Sequence, residues 1–391
     1  MQLNHSLHLA YCTNIHRGET WDETFHSLQN HTLAVRGKVC PKKPFAIGLR
    51  LSECAAGELS DRAKRLQFQR WLEKNYCYVF TLNGFPYGRF HGQRVKEQVY
   101  RPDWTSPDRV TYTNRLFDLL AELLPAGVAG SVSTLPGSFK EFQPDETALK
   151  IIRENLWRSV EHIARVSEKT GRQLHLGLEP EPLCLLENTA ETIRFFDQLR
   201  AEHPHDPRLD EHLGVNYDTC HFALEFEEPQ TALAGLVNHG VTISKIHLSS
   251  ALKVSPTLAV RAELKKYSDD VYLHQVIVRD GSGQRTFYRD LPEALTRHPS
   301  PANHHPEEWR IHFHVPLHAP AAPPFENTND HLLGVLDLLA QTPEICTHLE
   351  METYTWEVLP PEFKSKTVVE QLAAEYGWTL ARLGERGLYS E

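Results

Sequence analysis

The sequence predicts an α/β protein, a (β/α)8 TIM barrel with a β-containing insertion between its seventh and eighth strands. Eight short apolar segments alternate along the chain with segments whose apolar residues recur at helical spacing. Such alternation is typical of parallel strands joined by right-handed crossovers, and eight units of this kind close into a barrel. A doubly wound open sheet is the alternative. The chain disfavours it because no predicted strand is followed by a Gly-x-Gly-x-x-Gly turn or a Walker-type loop.

The predicted elements run through residues 1–391, which we assign to one domain. Strands are predicted at 7–13, 45–52, 78–83, 130–134, 173–179, 213–218, 241–249 and 347–353. One helical segment is predicted to begin at residue 20. Further helices are predicted at 60–74, 108–124, 146–170, 189–201, 229–239 and 364–383.

Two segments are too long for plain connections of the repeat. Residues 84–106 are rich in glycine, proline and aromatic residues, and they follow a strand at the end of the barrel where active-site loops lie. We interpret them as a lid or substrate loop. Residues 251–327 are interpreted as the β-containing insertion, because strand-like stretches at 272–278 and 286–288 flank a turn and 309–316 alternates.

Composition and charge favour a small-molecule substrate. The net charge is −10, which disfavours binding to nucleic acid or to an anionic membrane. The seven cysteines are scattered and form no Cys-x-x-Cys pair, so we expect a reducing, cytoplasmic location without a disulfide framework. No apolar run approaches the roughly 20 residues that span a bilayer, so membrane insertion is not expected. The sequence does not define an oligomeric state.

Polar side chains stand at the ends of four successive predicted strands. These residues are Glu179 and Glu181, Asp218 and His221, Lys245 and His247, and Glu350 and Glu352. A barrel interior does not accept two uncompensated carboxylates from one strand, so something positive is required between them. A divalent cation, Mn, Mg, Co or Zn, satisfies all four strand ends at once. His312 and His314 either reach the same centre or are structural, and a solvated loop or a helix cap is the plainer interpretation of the single carboxylates.

The ordered strand ends resemble the xylose-isomerase-like barrel superfamily, which includes sugar isomerases, ketose epimerases and the endonuclease IV type of DNA repair enzyme. The segments 218–221 (Asp-Thr-Cys-His), 246–248 (Ile-His-Leu) and 312–314 (His-Phe-His) resemble endonuclease IV in particular. Residues 133–137, Ser-Thr-Leu-Pro-Gly, depart from the His-Pro-Gly-type end of that family. The departure argues against its trinuclear zinc site and against DNA cleavage.

Nearly the whole chain also resembles the EboE family of metabolite-traffic proteins. The matching segments are 11–14, 81–91, 178–182, 218–221, 312–316 and 349–356. This resemblance implies a membrane-protein partner in the synthesis or export of a secondary-metabolite precursor. It does not define a reaction.

The resemblance implies four metal ligands and implies His221 as a ligand of a second metal or a substrate contact; the other roles are expected from the type and position of each residue. The metal ligands are expected to be Glu179, Asp218, His247 and Glu352, with His221 and His314 as further ligands. The catalytic residues are expected to be Glu179, Glu352 and His221. Substrate contacts are expected from His16, Asn83, Arg89, His91, Glu181, Lys245, His312 and Tyr354.

Three functions are compatible with these residues. The first hypothesis is a metal-dependent isomerase or epimerase of a sugar, polyol or related hydroxy-carbonyl compound. The second is metal-assisted phosphoester hydrolysis, and the third is a non-catalytic carrier that holds a metabolite for a membrane partner. The number of bound metal ions distinguishes the first two, and solvent proton exchange distinguishes the first from the third.

Overall fold

A computed structural model describes residues 1–89, 91, 92, 94–299, 307–320, 323–359 and 367–390. The strands of the described residues are β1 (His8–Tyr11), β2 (Phe45–Arg50), β3 (Cys77–Asn83), β4 (Gly130–Thr134), β5 (Leu174–Leu178), β6 (Leu213–Asp218), β7 (Thr242–Leu248), β8 (Ala251–Val254), β9 (Val276–Arg279), β10 (Arg285–Tyr288), β11 (Glu308–His314), β12 (Phe325–Asn327) and β13 (His348–Met351). The strands form two separate sheets, one of eight strands and one of five.

The eight-stranded sheet is parallel and curves into a nearly closed barrel in the order β1-β13-β7-β6-β5-β4-β3-β2. A single parallel bridge between Cys12 and Gly48 joins its two edges. The predicted (β/α)8 barrel is therefore confirmed. Each predicted barrel strand overlaps an observed one, because a strand that is covered on both faces is apolar along most of its length.

The helices of the described residues are α1 (Trp21–Ser27), α2 (Leu33–Val39), α3 (Glu53–Leu59), α4 (Arg62–Lys74), α5 (Pro107–Leu123), α6 (Glu146–Thr170), α7 (Thr189–Glu202), α8 (Pro207–His212), α9 (Thr219–Leu224), α10 (Pro229–Asn238), α11 (Leu258–Leu264), α12 (Leu291–Arg297), α13 (Asn329–Gln341) and α14 (Val368–Gly384). Side-chain caps define several starts, for example Asp145, which accepts a hydrogen bond from the Ala148 amide at the start of α6. No helix among these is long and apolar enough to cross a membrane.

Strand register brings the polar residues of neighbouring barrel strands to one level. Asp218 on β6 pairs with His247 on β7, and His247 pairs with Glu350 on β13. Because parallel strands all end at the same side of a barrel, residues just past these positions meet at its C-terminal face. The register therefore assembles one site from four strands.

The insertion between β7 and β13 forms the second sheet, which is antiparallel in the order β10-β9-β11-β8-β12. It encloses a small apolar core of its own that includes Trp309, Ile311 and Phe313. The predicted bounds of 251–327 agree with the first residue of β8 and the last of β12. The short β8 and β12 and the helices α11, α12 and α13 were not predicted. The two strands span only a few residues each and pair with β11 or with each other, so their structure depends on tertiary contacts.

Two other predictions differ from the structure at their ends. The predicted helix at 364–383 is observed from Val368, and residues 364–366 lie outside the described residues. The helical segment predicted from residue 20 is divided into α1 and α2 by a π-helical turn at Leu28–Thr32. Helix α3 was not predicted, although Ser52 caps it by accepting a hydrogen bond from the Ala55 amide.

Candidate metal centre

Four side chains from consecutive barrel strands meet at the C-terminal face. Glu179 follows β5, Asp218 ends β6, His247 lies in β7 and Glu352 follows β13. One potential ligand atom from each lies within 4.8 Å of the others, and all four residues are buried. We call this group the carboxylate cluster. Its members are the four residues for which the resemblance implied metal binding.

The ring of His247 is the centre of the carboxylate cluster. Its Nδ1 lies 3.0 Å from Glu179 Oε1, 3.1 Å from Glu352 Oε2 and 3.5 Å from Asp218 Oδ2. One ring N–H can satisfy only one acceptor, so three carboxylates around one nitrogen are in excess. Burial lowers the pKa of His247, but the charges of Glu352 and Glu179 raise it well above its ordinary value. The site therefore attracts positive charge.

The carboxylate cluster fits a divalent cation. Three carboxylates and one imidazole retain excess negative charge even when the ring is protonated, and Asp218 Oδ2 is buried without a hydrogen bond of ordinary geometry. Mixed oxygen and nitrogen donors of this kind suit Mn, Mg, Co or Zn. Burial raises the pKa of Asp218, but His221 and His247 hold it well below its ordinary value, so its carboxylate stays ionised.

Neighbouring groups orient the ligands of the carboxylate cluster. Asn14 Nδ2 donates to Glu352 Oε1 over 2.7 Å. Ser249 Oγ donates to Asp218 Oδ1 over 2.6 Å, and the Cys220 amide donates to the same oxygen over 2.8 Å. Fixed outer contacts of this kind are typical of metal sites, because they hold each donor atom in the geometry that the ion requires.

A second group, the histidine cluster, consists of His221, His312 and His314. Its rings direct Nδ1 to oxygen acceptors: His221 to the Pro180 carbonyl at 2.9 Å, His312 to Gln275 Oε1 at 2.7 Å, and His314 to the Glu352 carbonyl at 3.0 Å. The Nε2 atoms of His221 and His312 then face each other at 3.1 Å. Two neutral rings with hydrogen on Nδ1 would bring two lone pairs together there, so a proton or a metal ion is required between them.

The histidine cluster adjoins the carboxylate cluster. Potential ligand atoms of Asp218, His221 and His314 lie within 4.8 Å of one another, as do those of Cys220, His312 and His314. The Nε2 atom of His314 is buried without a hydrogen-bond partner. Burial lowers the pKa of His221, but Asp218 and other carboxylates raise it above its ordinary value. Asp218 is thus shared by both clusters.

A cavity of about 50 Å³ lies against the carboxylate cluster. Glu179, Glu352 and His221 border it from the barrel, and His312 borders it from β11 of the insertion. The predicted lid loop borders it through residues including Lys96 and Tyr100, and the insertion does so through Tyr272 and Leu273. Residues of the segment predicted as a lid loop therefore border the cavity, and their role as a lid stays a prediction.

The lid loop and the insertion are joined above the cavity. The backbone amides of Val95 and Lys96 both donate to the Val271 carbonyl over 2.9 Å. Lys96 Nζ also donates to Asp290 Oδ2 over 2.7 Å. We call residues 94–100 and 271–275 the roof. Because the insertion supplies half of the roof, it contributes directly to the site.

Glu181 borders the cavity from the segment after β5. Tyr100 OH donates to Glu181 Oε1 over 2.9 Å, and Gln275 Nε2 donates to the same tyrosine oxygen over 2.9 Å. Burial raises the pKa of Glu181 to about 8, and its Oε2 is buried without a hydrogen-bond partner. The side chain can therefore form a hydrogen bond with the hydroxyl group of a bound molecule.

The structure divides the predicted substrate contacts into two groups. Glu181, His312 and Tyr354 border the cavity. The residues that do not border it are His16, Asn83, Arg89, His91 and Lys245.

These five residues have other neighbours. His16 Nε2 is paired with Tyr11 OH, and His91 contacts the Asn14 carbonyl and Tyr272 OH. Arg89 borders an outer groove. Asn83 and Lys245 lie inside the barrel, where each contacts Ser133 Oγ.

Other residues at the site were not predicted. Asn14 holds Glu352, and its position directly after the first predicted strand is a signal that would have identified it. Tyr100 ends a 3-10 turn in the loop predicted at 84–106, and Gln275 directly precedes β9; no motif marks either residue as part of the site. Of the two neighbouring glutamates, Glu352, which follows β13, joins the carboxylate cluster, whereas Glu350 in β13 pairs with Lys245.

No protein-family model and no curated protein matches the chain. Among solved structures, the chain is similar to an L-ribulose 3-epimerase, with a TM-score of 0.50, 10% identity, and coverage of 99% of this chain and 96% of that one. It is also similar to the probable 3-DHS dehydratase AsbF of petrobactin synthesis from Bacillus anthracis, with a TM-score of 0.50, 10% identity, and coverage of 95% and 98%. Identities this low show the common (β/α)8 fold alone. None of these comparisons shows the EboE family.

Proposed function

We propose that this chain is a metal-dependent isomerase or epimerase of a small hydroxy-carbonyl or polyol compound, such as a sugar. The observation that carries the proposal is the carboxylate cluster, in which four consecutive barrel strands direct ligand atoms to one buried point beside a cavity. Catalytic sites of (β/α)8 barrels lie at this face. The similar fold of an L-ribulose 3-epimerase is consistent with the proposal.

Glu179, Asp218, His247 and Glu352 would hold the ion. A divalent cation there supplies Lewis-acid polarisation of a substrate carbonyl and of the hydroxyl beside it. Glu179 and Glu352 both border the cavity from different strands. These two carboxylates therefore remove and return a proton at the carbon next to the carbonyl.

Other residues of this chain hold the substrate. His221 borders the cavity beside Asp218 and orients a substrate oxygen. Glu181, held by Tyr100, offers its second carboxyl oxygen to a substrate hydroxyl. A hydroxylated compound satisfies these polar groups, whereas an apolar compound would leave them buried without partners.

The roof must open for a substrate to bind. The cavity of about 50 Å³ is much smaller than the roughly 300–1,000 Å³ of ordinary ligand pockets. Separation of Val95 and Lys96 from Val271 would widen it and admit a sugar-sized molecule. Closure over the bound substrate would then exclude water from the reacting carbon.

The histidine cluster favours a second candidate, metal-assisted phosphoester hydrolysis. Asp218, His221 and His314, whose potential ligand atoms lie within 4.8 Å of one another beside the carboxylate cluster, could hold a second ion. Two neighbouring ions stabilise the attacking and leaving oxygens of a phosphoryl transfer. One tightly bound ion per chain supports isomerisation, and two support hydrolysis.

Solvent exchange tests the isomerase proposal. We would incubate the protein with Mn²⁺ or Co²⁺ and a panel of ketoses in heavy water and follow the substrates by NMR. We expect deuterium at the carbon next to the carbonyl of a turned-over ketose. Tight binding of a compound without exchange or product would support a carrier instead.

Glu352→Gln supplies the matched variant for this experiment. We expect exchange to fall by at least about 10²-fold, because the variant loses a general base and a ligand charge. Glu375→Gln serves as the control, because Glu375 is a buried glutamate that does not border the cavity and belongs to neither cluster. Wild-type exchange in folded Glu352→Gln protein would rule out the assigned role.

A further inference from the structure

We propose that Lys245 and Glu350, a buried ion pair inside the barrel, are positioning residues that prepare His247 for metal binding. The inference rests on the proposed metal centre and assigns a role to two residues outside the ligand set. Neither side chain belongs to the carboxylate cluster, and neither borders the cavity. Their effect is transmitted through the far nitrogen of the His247 ring.

The three side chains form one connected, fully buried group. Glu350 Oε2 lies 2.6 Å from Lys245 Nζ and 2.9 Å from His247 Nε2, and each residue is 0% exposed. Strand pairing fixes this arrangement, since Glu350 on β13 lies opposite His247 on β7. The carboxylate therefore contacts the ring on the side away from the other carboxylates.

The neighbouring barrel strand leaves space for this carboxylate. A Cβ atom on Gly48 of β2 would lie 1.8 Å from Glu350 Oε1 and 2.7 Å from the Tyr11 carbonyl oxygen. No side chain fits there without displacing Glu350 or the backbone of β1. The glycine is thus matched to the position of the Glu350 side chain.

The ion pair determines which ring nitrogen carries the hydrogen. The ammonium group of Lys245 keeps Glu350 ionised, and an ionised carboxylate only accepts hydrogen bonds. When a cation replaces the proton on Nδ1, His247 still donates through Nε2 to Glu350. The Nδ1 lone pair then points to the place where ligand oxygens of Glu179, Asp218 and Glu352 meet. Asn216 Nδ2 lies 3.2 Å from Nδ1, which agrees with an acceptor at that atom.

The opposite tautomer would not bind a metal through Nδ1. A hydrogen on that nitrogen would occupy the position of the ion, and the ring would have to be deprotonated or rotated first. A carboxylate behind a metal-binding histidine also increases the basicity of the ring. Both effects predict tighter metal binding with Glu350 present than with a neutral side chain.

A purely structural role for the ion pair makes a different prediction. If the pair only stabilised the barrel, its removal would change the unfolding of the protein and leave metal affinity unchanged. Replacement of both members by neutral side chains of similar volume is often tolerated by folded proteins. The two roles can therefore be separated by measuring stability and metal binding on the same variants.

The test is a Co²⁺ titration of metal-free full-length protein in competition with a chromophoric chelator. The binding phase that disappears in Glu179→Gln identifies the carboxylate cluster. In Glu350→Gln we expect the affinity of that phase to fall by about 10- to 100-fold, because an amide both donates and accepts and no longer fixes the tautomer. Glu375→Gln, the same change at a buried glutamate that belongs to neither cluster, is expected to bind as the wild type does.

A double variant covers the case in which Glu350→Gln does not fold, since that change leaves the Lys245 charge buried alone. Lys245→Met combined with Glu350→Gln removes both charges and should fold with the same loss of Co²⁺ affinity. Wild-type affinity in either folded variant would overturn this inference and leave the proposed metal centre standing. Absence of the phase from wild-type protein would overturn the metal centre and this inference together.

Discussion

At the scale of single residues, the surroundings of His247 decide what the site can bind. A histidine inside an apolar strand is ordinarily a structural residue. Here three carboxylates lie within 3.5 Å of one ring nitrogen, and a fourth contacts the other. Asp218 and His247 could be singled out from the sequence because each ends or interrupts an apolar run, and the structure brings their side chains together.

Strand alternation alone does not choose between Glu350 and Glu352, because it puts both residues of the predicted strand at 347–353 on one face. Only the family resemblance implied Glu352. The structure distinguishes them because β13 ends at Met351 and Glu352 lies beyond it, at the level of the cavity. Glu350 remains inside the barrel, at the level of Lys245.

Glu375, a buried carboxyl that belongs to neither cluster, gives a prediction about the pH dependence of stability. Burial raises the pKa of Glu375 to about 7, although Thr353 Oγ1 and the Leu317 amide donate to its Oε1. A raised pKa favours the protonated form in the folded protein, so stability is full below the unfolded pKa of 4.5 and declines as pH rises towards 7.

Glu375→Gln removes this penalty while keeping an oxygen acceptor. We expect the variant to exceed the wild type in unfolding free energy by about 1–3 kcal/mol at pH 8, and the difference to shrink at pH 4.5. Urea unfolding at the two pH values measures it. A variant that is less stable than the wild type at both pH values would contradict the account.

At the scale of elements, apolar runs were sufficient to predict the barrel strands, because buried parallel strands are continuous in hydrophobicity. The insertion was predicted by its excess length, but its sheet order was not. That order depends on long-range pairing of β8 with β11 and β12, which a single sequence does not encode as a local pattern. Tyr100 and Gln275 were missed for the same reason.

Three barrel strands place histidines at the end of the barrel remote from the metal centre: His8 on β1, His175 on β5 and His348 on β13. The ring centroid of His348 lies 5.3 Å from that of His175 and 6.3 Å from that of His8. Burial lowers the pKa of His8 and of His175 to about 4 and that of His348 well below its ordinary value.

Because burial keeps these histidines neutral, we expect the stability of the barrel to decrease in acid. The folded protein binds fewer protons than the unfolded chain once the pH falls below the unfolded pKa of about 6.5, so stability decreases as pH falls towards 4. Each such histidine contributes about 2 kcal/mol of this loss between pH 7 and pH 5. In His348→Gln we expect a correspondingly smaller loss of unfolding free energy across that interval. An unchanged pH dependence would show that His348 titrates normally in the folded protein.

At the scale of the whole molecule, the barrel supplies the four residues of the carboxylate cluster. The lid loop and the insertion enclose the cavity beside it. The lid loop and the insertion meet through Val95, Lys96 and Val271 above a cavity of about 50 Å³, which is too small for a sugar in this conformation. The net charge of −10 agrees with a site built from carboxylates, which needs a cation before it can accept an electron-rich substrate.

The metal content of the purified protein tests the proposed metal centre. We would load the purified wild-type protein with divalent metal, remove the excess by gel filtration, and determine bound metal by elemental analysis beside Asp218→Asn and the Glu375→Gln control. Because Asp218 belongs to both clusters, we expect at least one ion per chain in the wild type and the control, and well below one in Asp218→Asn. A wild-type protein without stoichiometric metal, or an Asp218→Asn variant that retains all of it, would contradict the account.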